Sequence, residues 1–226
     1  MQNDIIHNIA YWRERLGNAA GRYDPPEICA VTKTVDADTV NLAYDAGIRV
    51  IGENRVQELM GKLDRLDRRY EIHLIGRLQT NKARQIIGTV RMVQSLDRQD
   101  LAAELNRRAM QLGATLDCLA QVNIGLEPQK GGFAPDDVIP FLKRMDDFPA
   151  LRVKGLMAIL PVADDADALR PLFRQMRGLF ERIRDMDMPS VRMETLSMGM
   201  TDDCLVAASE GATMVRLGRA LFGARA

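Results

Sequence analysis

Cysteine is scarce in this 226-residue chain: Cys29, Cys118 and Cys204 are odd in number and far apart. That excludes a disulfide framework or a zinc ligand set and leaves buried free thiols, the pattern of a reducing cytoplasm. Net charge is absent too. Lys+Arg and Asp+Glu each total 31, so no overall field draws the chain to nucleic acid or to a membrane surface. An anionic ligand would have to be held locally. No apolar run approaches the roughly 20 residues of a spanning helix. At the N-terminus Ile5, Ile9, Trp12 and Leu16 recur at helical spacing among charged residues, unlike the continuous apolar core of an export signal. These features lead us to expect a cytoplasmic protein that binds neither nucleic acid nor membrane. Internal repeats, low-complexity tracts and Pro/Gly/Ser linkers are also missing.

What is present is alternation. Eight short β-like runs occur at 28–32, 49–51, 72–75, 92–95, 116–122, 153–159, 191–196 and 213–217. Amphipathic stretches lie between them, at 36–46, 53–69, 77–87, 97–112, 135–147, 164–186 and 202–210, and a further helix precedes the first strand. Such a pattern predicts parallel strands with helical crossovers. The strands are short and evenly spaced, and no Gly-x-Gly-x-x-Gly follows the first. Both features favour a closed (β/α)₈ barrel with an extra N-terminal helix over an open doubly wound sheet.

In such a barrel, function gathers where strands end. The first strand delivers Lys33. Six lysines stand against twenty-five arginines, so a lysine at the mouth suggests that an amine is wanted, since only an amine condenses with an aldehyde; a solvated loop lysine is the plain alternative. Asn54 either caps the helix after strand two or meets a ligand. His73 precedes two apolar strand residues and reads as a buried structural histidine, whereas Arg77, after Gly76, is better placed for an anion. Ser95 and Asn123 line the mouth or merely start loops. The seventh strand leads into Ser197-Met198-Gly199-Met200-Thr201, with Thr201 read as the cap of the next helix, and the eighth into Arg216-Leu217-Gly218-Arg219. Loops seven and eight of barrels often hold phosphate against a helix N-terminus, and Gly199 and Gly218 permit close approach of the backbone. Position alone therefore predicts a phosphate and a lysine amine together, which a Schiff-base aldolase would also use.

The fragments Ala30-Val31-Thr32-Lys33-Thr34, Gly52-Glu53-Asn54-Arg55-Val56-Gln57-Glu58, His73 to Lys82, Leu196 to Asp203 and Val215-Arg216-Leu217-Gly218 resemble, in order, the pyridoxal phosphate homeostasis proteins. Their fold is like the N-terminal barrel of alanine racemase. The resemblance spans essentially the whole chain and implies one pyridoxal 5′-phosphate (PLP)-binding barrel domain over 1–226, a fold-type III PLP protein without the C-terminal β-domain. It further implies that Lys33 forms a Schiff base with PLP, that Ser197 and the Gly199 and Gly218 turns hold the phosphate, and that Asn54 lies beside the cofactor. Arg216 would approach the pyridine nitrogen or the phosphate side. Lys130 matches a second lysine of the family pattern, with a solvated loop charge as the equal alternative. Three positions depart from the commonest pattern: Thr32 for serine, Arg77 for histidine, and Arg219 where a hydroxyl residue is common.

The implied activity is reversible binding, buffering or delivery of PLP, with PLP-requiring apoenzymes as possible partners and no obligatory substrate. The runner-up is an amino-acid racemase. A racemase needs acid/base groups on both faces of the planar intermediate, and alanine racemase-like enzymes take a tyrosine from an added β-domain and a partner subunit. The sequence ends shortly after strand eight, and Tyr11, Tyr23, Tyr44 and Tyr70 all lie away from strand C-terminal ends, so the second base is expected to be missing. With no outward hydrophobic stripe, a monomer is expected.

Overall fold

A computed structural model describes residues 2–223, with the side chains of residues 2 and 3 excluded. Eight parallel strands close on themselves in chain order. They are β1 (Glu27–Val31), β2 (Val50–Glu53), β3 (Glu71–Leu74), β4 (Met92–Leu96), β5 (Leu116–Val122), β6 (Leu151–Ala158), β7 (Val191–Ser197) and β8 (Met214–Leu217). Closure is made by β1 against β8, with Cys29 opposite Arg216 and Ala30 opposite Leu217. The barrel expected from the alternation is observed, and β5 has the expected bounds.

The helices are α1 (Gln2–Ala20), α2 (Ala37–Asp45), α3 (Val56–Lys62), α4 (Ala83–Ile86), α5 (Gln99–Gln111), α6 (Pro135–Leu142), α7 (Arg170–Arg184), α8 (Cys204–Ser209) and α9 (Arg219–Phe222). Several are shorter than the amphipathic pattern implied. The 53–69 stretch begins as strand, becomes helical only at Val56 and tightens into a 3₁₀ turn at Leu63–Arg65. The 77–87 stretch is a 3₁₀ turn followed by the four residues of α4. Apolar periodicity reports which face is buried, not whether the intervening turn is α or 3₁₀.

Burial follows the pattern closely. Phe173, Met176, Leu179, Phe180 and Ile183 of α7 recur at spacings of three and four and are all buried against the sheet, each contributing about 1.5–3 kcal/mol of transfer free energy. Asp36 caps α2 by accepting Thr39 N at 3.0 Å. Inside the barrel, apolar clusters such as Cys29, Val31, Val50, Ile75 and Met214 surround a few polar groups. No helix among the described residues is long and apolar enough to cross a membrane.

Candidate functional site

The strand order brings the ends of β7, β8, β1 and β2 together along one side of the mouth. With Ala30 opposite Leu217 and Val31 opposite Gly52, the Lys33 turn emerges between the Gly218 turn and Asn54. Lys33 lies two residues beyond the end of β1, half-buried in a turn. Asn54 does not cap α3. Arg55 is the residue before that helix, and Asn54 Oδ1 is buried with no hydrogen-bond partner. Gly199 has φ +93°, and a Cβ there would sit 2.6 Å from Ala207 Cβ; only glycine lets this turn pack against α8. Thr201 is not the cap of α8 either. Asp203 precedes the helix, and its carboxylate accepts Met200 N at 2.6 Å, closing the 200–203 turn. Burial raises the Asp203 pKa, opposed by the hydrogen bond from Met200 and by the Arg216 charge. The Thr201 side chain is left half-buried beside the turn.

A polar chain crosses the barrel interior. The Arg216 guanidinium is buried and donates to Ser197 O (2.9 Å), Ser197 Oγ (2.8 Å) and Ala158 O (2.7 Å). Ser197 Oγ donates to Gln94 Oε1 at 2.7 Å. Gln94 Nε2 then lies 2.9 Å from His73 Nδ1. Because guanidinium can only donate, the direction of each bond is set in turn. The Ser197 proton faces Gln94, the Gln94 amide donates to His73, and His73 is neutral with its proton on Nε2. Burial, reinforced by Arg91, lowers the His73 pKa to about 4. His73 is thus the buried structural histidine expected. Ser197 is fully buried, its hydroxyl donating to Gln94 and accepting from Arg216, so in this structure it anchors the guanidinium.

A second buried cluster fixes the Lys33 turn. Lys62 Nζ bonds Thr32 O (2.7 Å), Val35 O (3.0 Å) and Glu53 Oε1 (2.7 Å). Thr32 Oγ1 also donates to Glu53 Oε1, and Thr34 N to Glu58 Oε1. The two carbonyls held by Lys62 bracket Lys33 and Thr34, and Thr34 sits at φ +62°, a left-handed conformation that a threonine needs outside support to keep. Burial raises the Glu53 pKa, opposed by its bonds to Lys62 and Thr32.

Other candidates are held elsewhere. Arg77 is exposed on the loop after β3, with Nε 3.4 Å from Asp97 Oδ2. Lys130 lies half-buried in the loop after β5. Its ammonium bonds Leu160 O at 2.7 Å and pairs with Glu127, tying the loop after β5 to the loop after β6. Asn123 organises that loop through Glu127 O and Lys130 O, and Ser95 bonds Gly76 O. All three cysteines are buried, and burial pushes the Cys29 and Cys204 thiols up to about 12. Among the described residues no His, Cys, Asp or Glu group is arranged to hold a metal.

The alanine racemase N-terminal domain family matches residues 2–226. The pyridoxal phosphate homeostasis protein of Aquifex aeolicus is 40% identical over 217 residues, 94% of each chain. The chain belongs to the pyridoxal phosphate homeostasis protein family. Among solved structures, an unknown protein from Bifidobacterium adolescentis superposes with a TM-score of 0.92 at 33% identity, covering 97% of this chain and 95% of that one. PipY of Synechococcus elongatus PCC7942 with PLP bound gives a TM-score of 0.80 at 36% identity, covering 93% and 99%. In this homeostasis-family barrel, the reading by strand ends missed Gln94, Glu53 and Lys62, which act from below the mouth. The one available signal was that Lys62 is a lysine in an arginine-rich chain.

Proposed function

We propose that this protein binds PLP reversibly and serves to buffer or deliver it, with Lys33 as the covalent tether. The observation that carries the reading is the gathering of Lys33, Asn54, the Gly199 and Gly218 turns and buried Arg216 around adjacent strands β7, β8, β1 and β2. The residues fit the group. An amine stands beside two open turns, Asn54 Oδ1 lacks a partner, and a guanidinium reaches into the barrel. Backbone N–H groups of Gly199, Thr201 and Asp202 and of the 218–220 turn, with the Thr201 hydroxyl and Ser197 at the end of β7, would hold the phosphate. PLP when bound supplies an aldehyde that condenses reversibly with a primary amine, and a ring able to accept electrons. An arginine at the ring nitrogen would disfavour its protonation and weaken that electron sink. Homeostasis is favoured over racemisation because the four tyrosines lie off the mouth: Tyr23 and Tyr70 precede β1 and β3, and Tyr11 and Tyr44 sit on α1 and α2. Apoenzymes that require PLP are the natural recipients.

The test is the visible absorption spectrum of the purified protein beside Lys33→Ala. The parent should show a band discharged by borohydride, and the variant should lack it. A parent that stays colourless after PLP is added would overturn the reading. Racemisation of amino acids by the loaded parent at enzymic rates would replace homeostasis with the racemase.

A further inference from the structure

The loops after β2 and β3 enclose a second concavity whose lining includes Asn54 but not Lys33, Gly199, Arg216 or Gly218. Its volume is about 610 Å³, within the ~300–1,000 Å³ range of small-molecule sites. Arg55, Arg77, Lys82 and Arg98 line it, and no acidic side chain does. In a chain with 31 acidic and 31 basic residues, four cations around one cleft make a local field that net charge conceals.

Ion pairing leaves much of that charge unspent. Arg77 and Arg98 share the carboxylate of Asp97, at 3.4 and 2.5 Å, and Arg98 also reaches Asp100 at 3.0 Å. Arg55 and Lys82 have no ion pair among the described residues. Four cations against two carboxylates leave two positive charges, which a phosphate monoester dianion would balance. The walls are built in advance. A Cβ on Gly76 would lie 2.1 Å from Asn54 O, so the two loops pack backbone on backbone. Ser95 Oγ holds Gly76 O at 2.7 Å, and Arg98 Nη2 holds Leu78 O at 3.0 Å. Val56, Leu74 and Leu78 add apolar lining suited to an organic group.

We propose that this cleft binds a small organic phosphate monoester, at a site separate from the one at Lys33. The inference does not rest on the PLP reading. Its test is calorimetric titration with phenyl phosphate of the protein loaded with PLP and freed of excess, in parallel with Arg55→Gln/Lys82→Gln and with Lys33→Ala. The parent should bind one equivalent, the double variant should bind at least tenfold more weakly, and Lys33→Ala should match the parent. Circular dichroism and the visible band of the double variant should be unchanged. Several results would overturn the proposal: no uptake by the parent, equal binding by the double variant, loss of binding in Lys33→Ala, or uptake of a polyglutamate peptide in place of phenyl phosphate. The last would make the cleft a docking site for protein.

Discussion

Lys62→Met isolates the device that holds the Lys33 turn. The substitution keeps the length of the buried stem and removes only the ammonium. Two carbonyls and one carboxylate oxygen each lose a donor, and the Glu53 side chain is fully buried. Removing one partner of a buried ion pair costs about 3–5 kcal/mol, chiefly from the charge left behind. The cost should depend on pH in a particular direction. Burial already raises the Glu53 pKa with Lys62 in place, and without Lys62 the neutral form gains further. The folded variant then binds a proton that the unfolded chain releases, so its stability is greatest below the unfolded carboxyl pKa and falls as pH rises through the elevated folded value. Urea unfolding at pH 5.5 and pH 8, with the parent as reference at each pH, should give a loss larger at pH 8 by more than about 1 kcal/mol. Glu53→Gln combined with Lys62→Met should recover at least that much at pH 8 and remove the pH dependence. PLP loading of Lys62→Met should weaken as the Thr34 turn relaxes. A loss below about 1 kcal/mol, or one equal at both pH values, would refute the clamp.

The neutral His73 should make the fold acid-sensitive. Its folded pKa is about 4 against an ordinary 6.5, so its contribution is complete above pH 6.5 and about 3 kcal/mol is lost as pH falls to 4. His73→Asn, whose Oδ1 can still accept from Gln94, should flatten that part of the unfolding profile. Gln94→Leu should cost about 1–3 kcal/mol in denaturant unfolding and quicken PLP release measured by loss of the visible band, because Ser197 would no longer be fixed under Arg216. Gly199→Ala forces a left-handed alanine against Ala207; a loss of about 1–3 kcal/mol with weaker PLP retention is expected, and unchanged stability would show that the turn yields freely.

The barrel was legible because its two signals are local: short β-branched runs and the helical spacing of apolar residues. The placement of Lys33, Gly199 and Gly218 just beyond strand ends was legible because barrel geometry sends strand ends to one face. The bonds made by Ser197 were not legible, for a physical reason. The last residue of a strand faces either the mouth or the interior, and a one-residue difference in register decides which. Nothing in Thr195-Leu196-Ser197 reveals that Gln94, 103 positions away, accepts the serine proton. Helix starts at Val56 and Cys204 were mislocated because Asn54 and Thr201 are good capping residues that here serve other geometries. Lys130 shows the same limit. Its partner Leu160 O is a backbone atom on another loop, invisible to any motif.

Arg216 joins fold to function most directly. Burying a guanidinium costs several kcal/mol unless its charge is answered, yet its three bonds go to two carbonyls and a hydroxyl. No ion pair to Arg216 occurs among the described residues. A protein selected for stability alone would place a carboxylate there or an apolar side chain. The buried Asp203 carboxylate acts on it only through space, its oxygen accepting Met200 N in the 200–203 turn. In the proposed PLP site, a phosphate at the neighbouring turns would answer that charge further. The polar chain through Ser197, Gln94 and His73 already spreads the guanidinium's field over neutral dipoles.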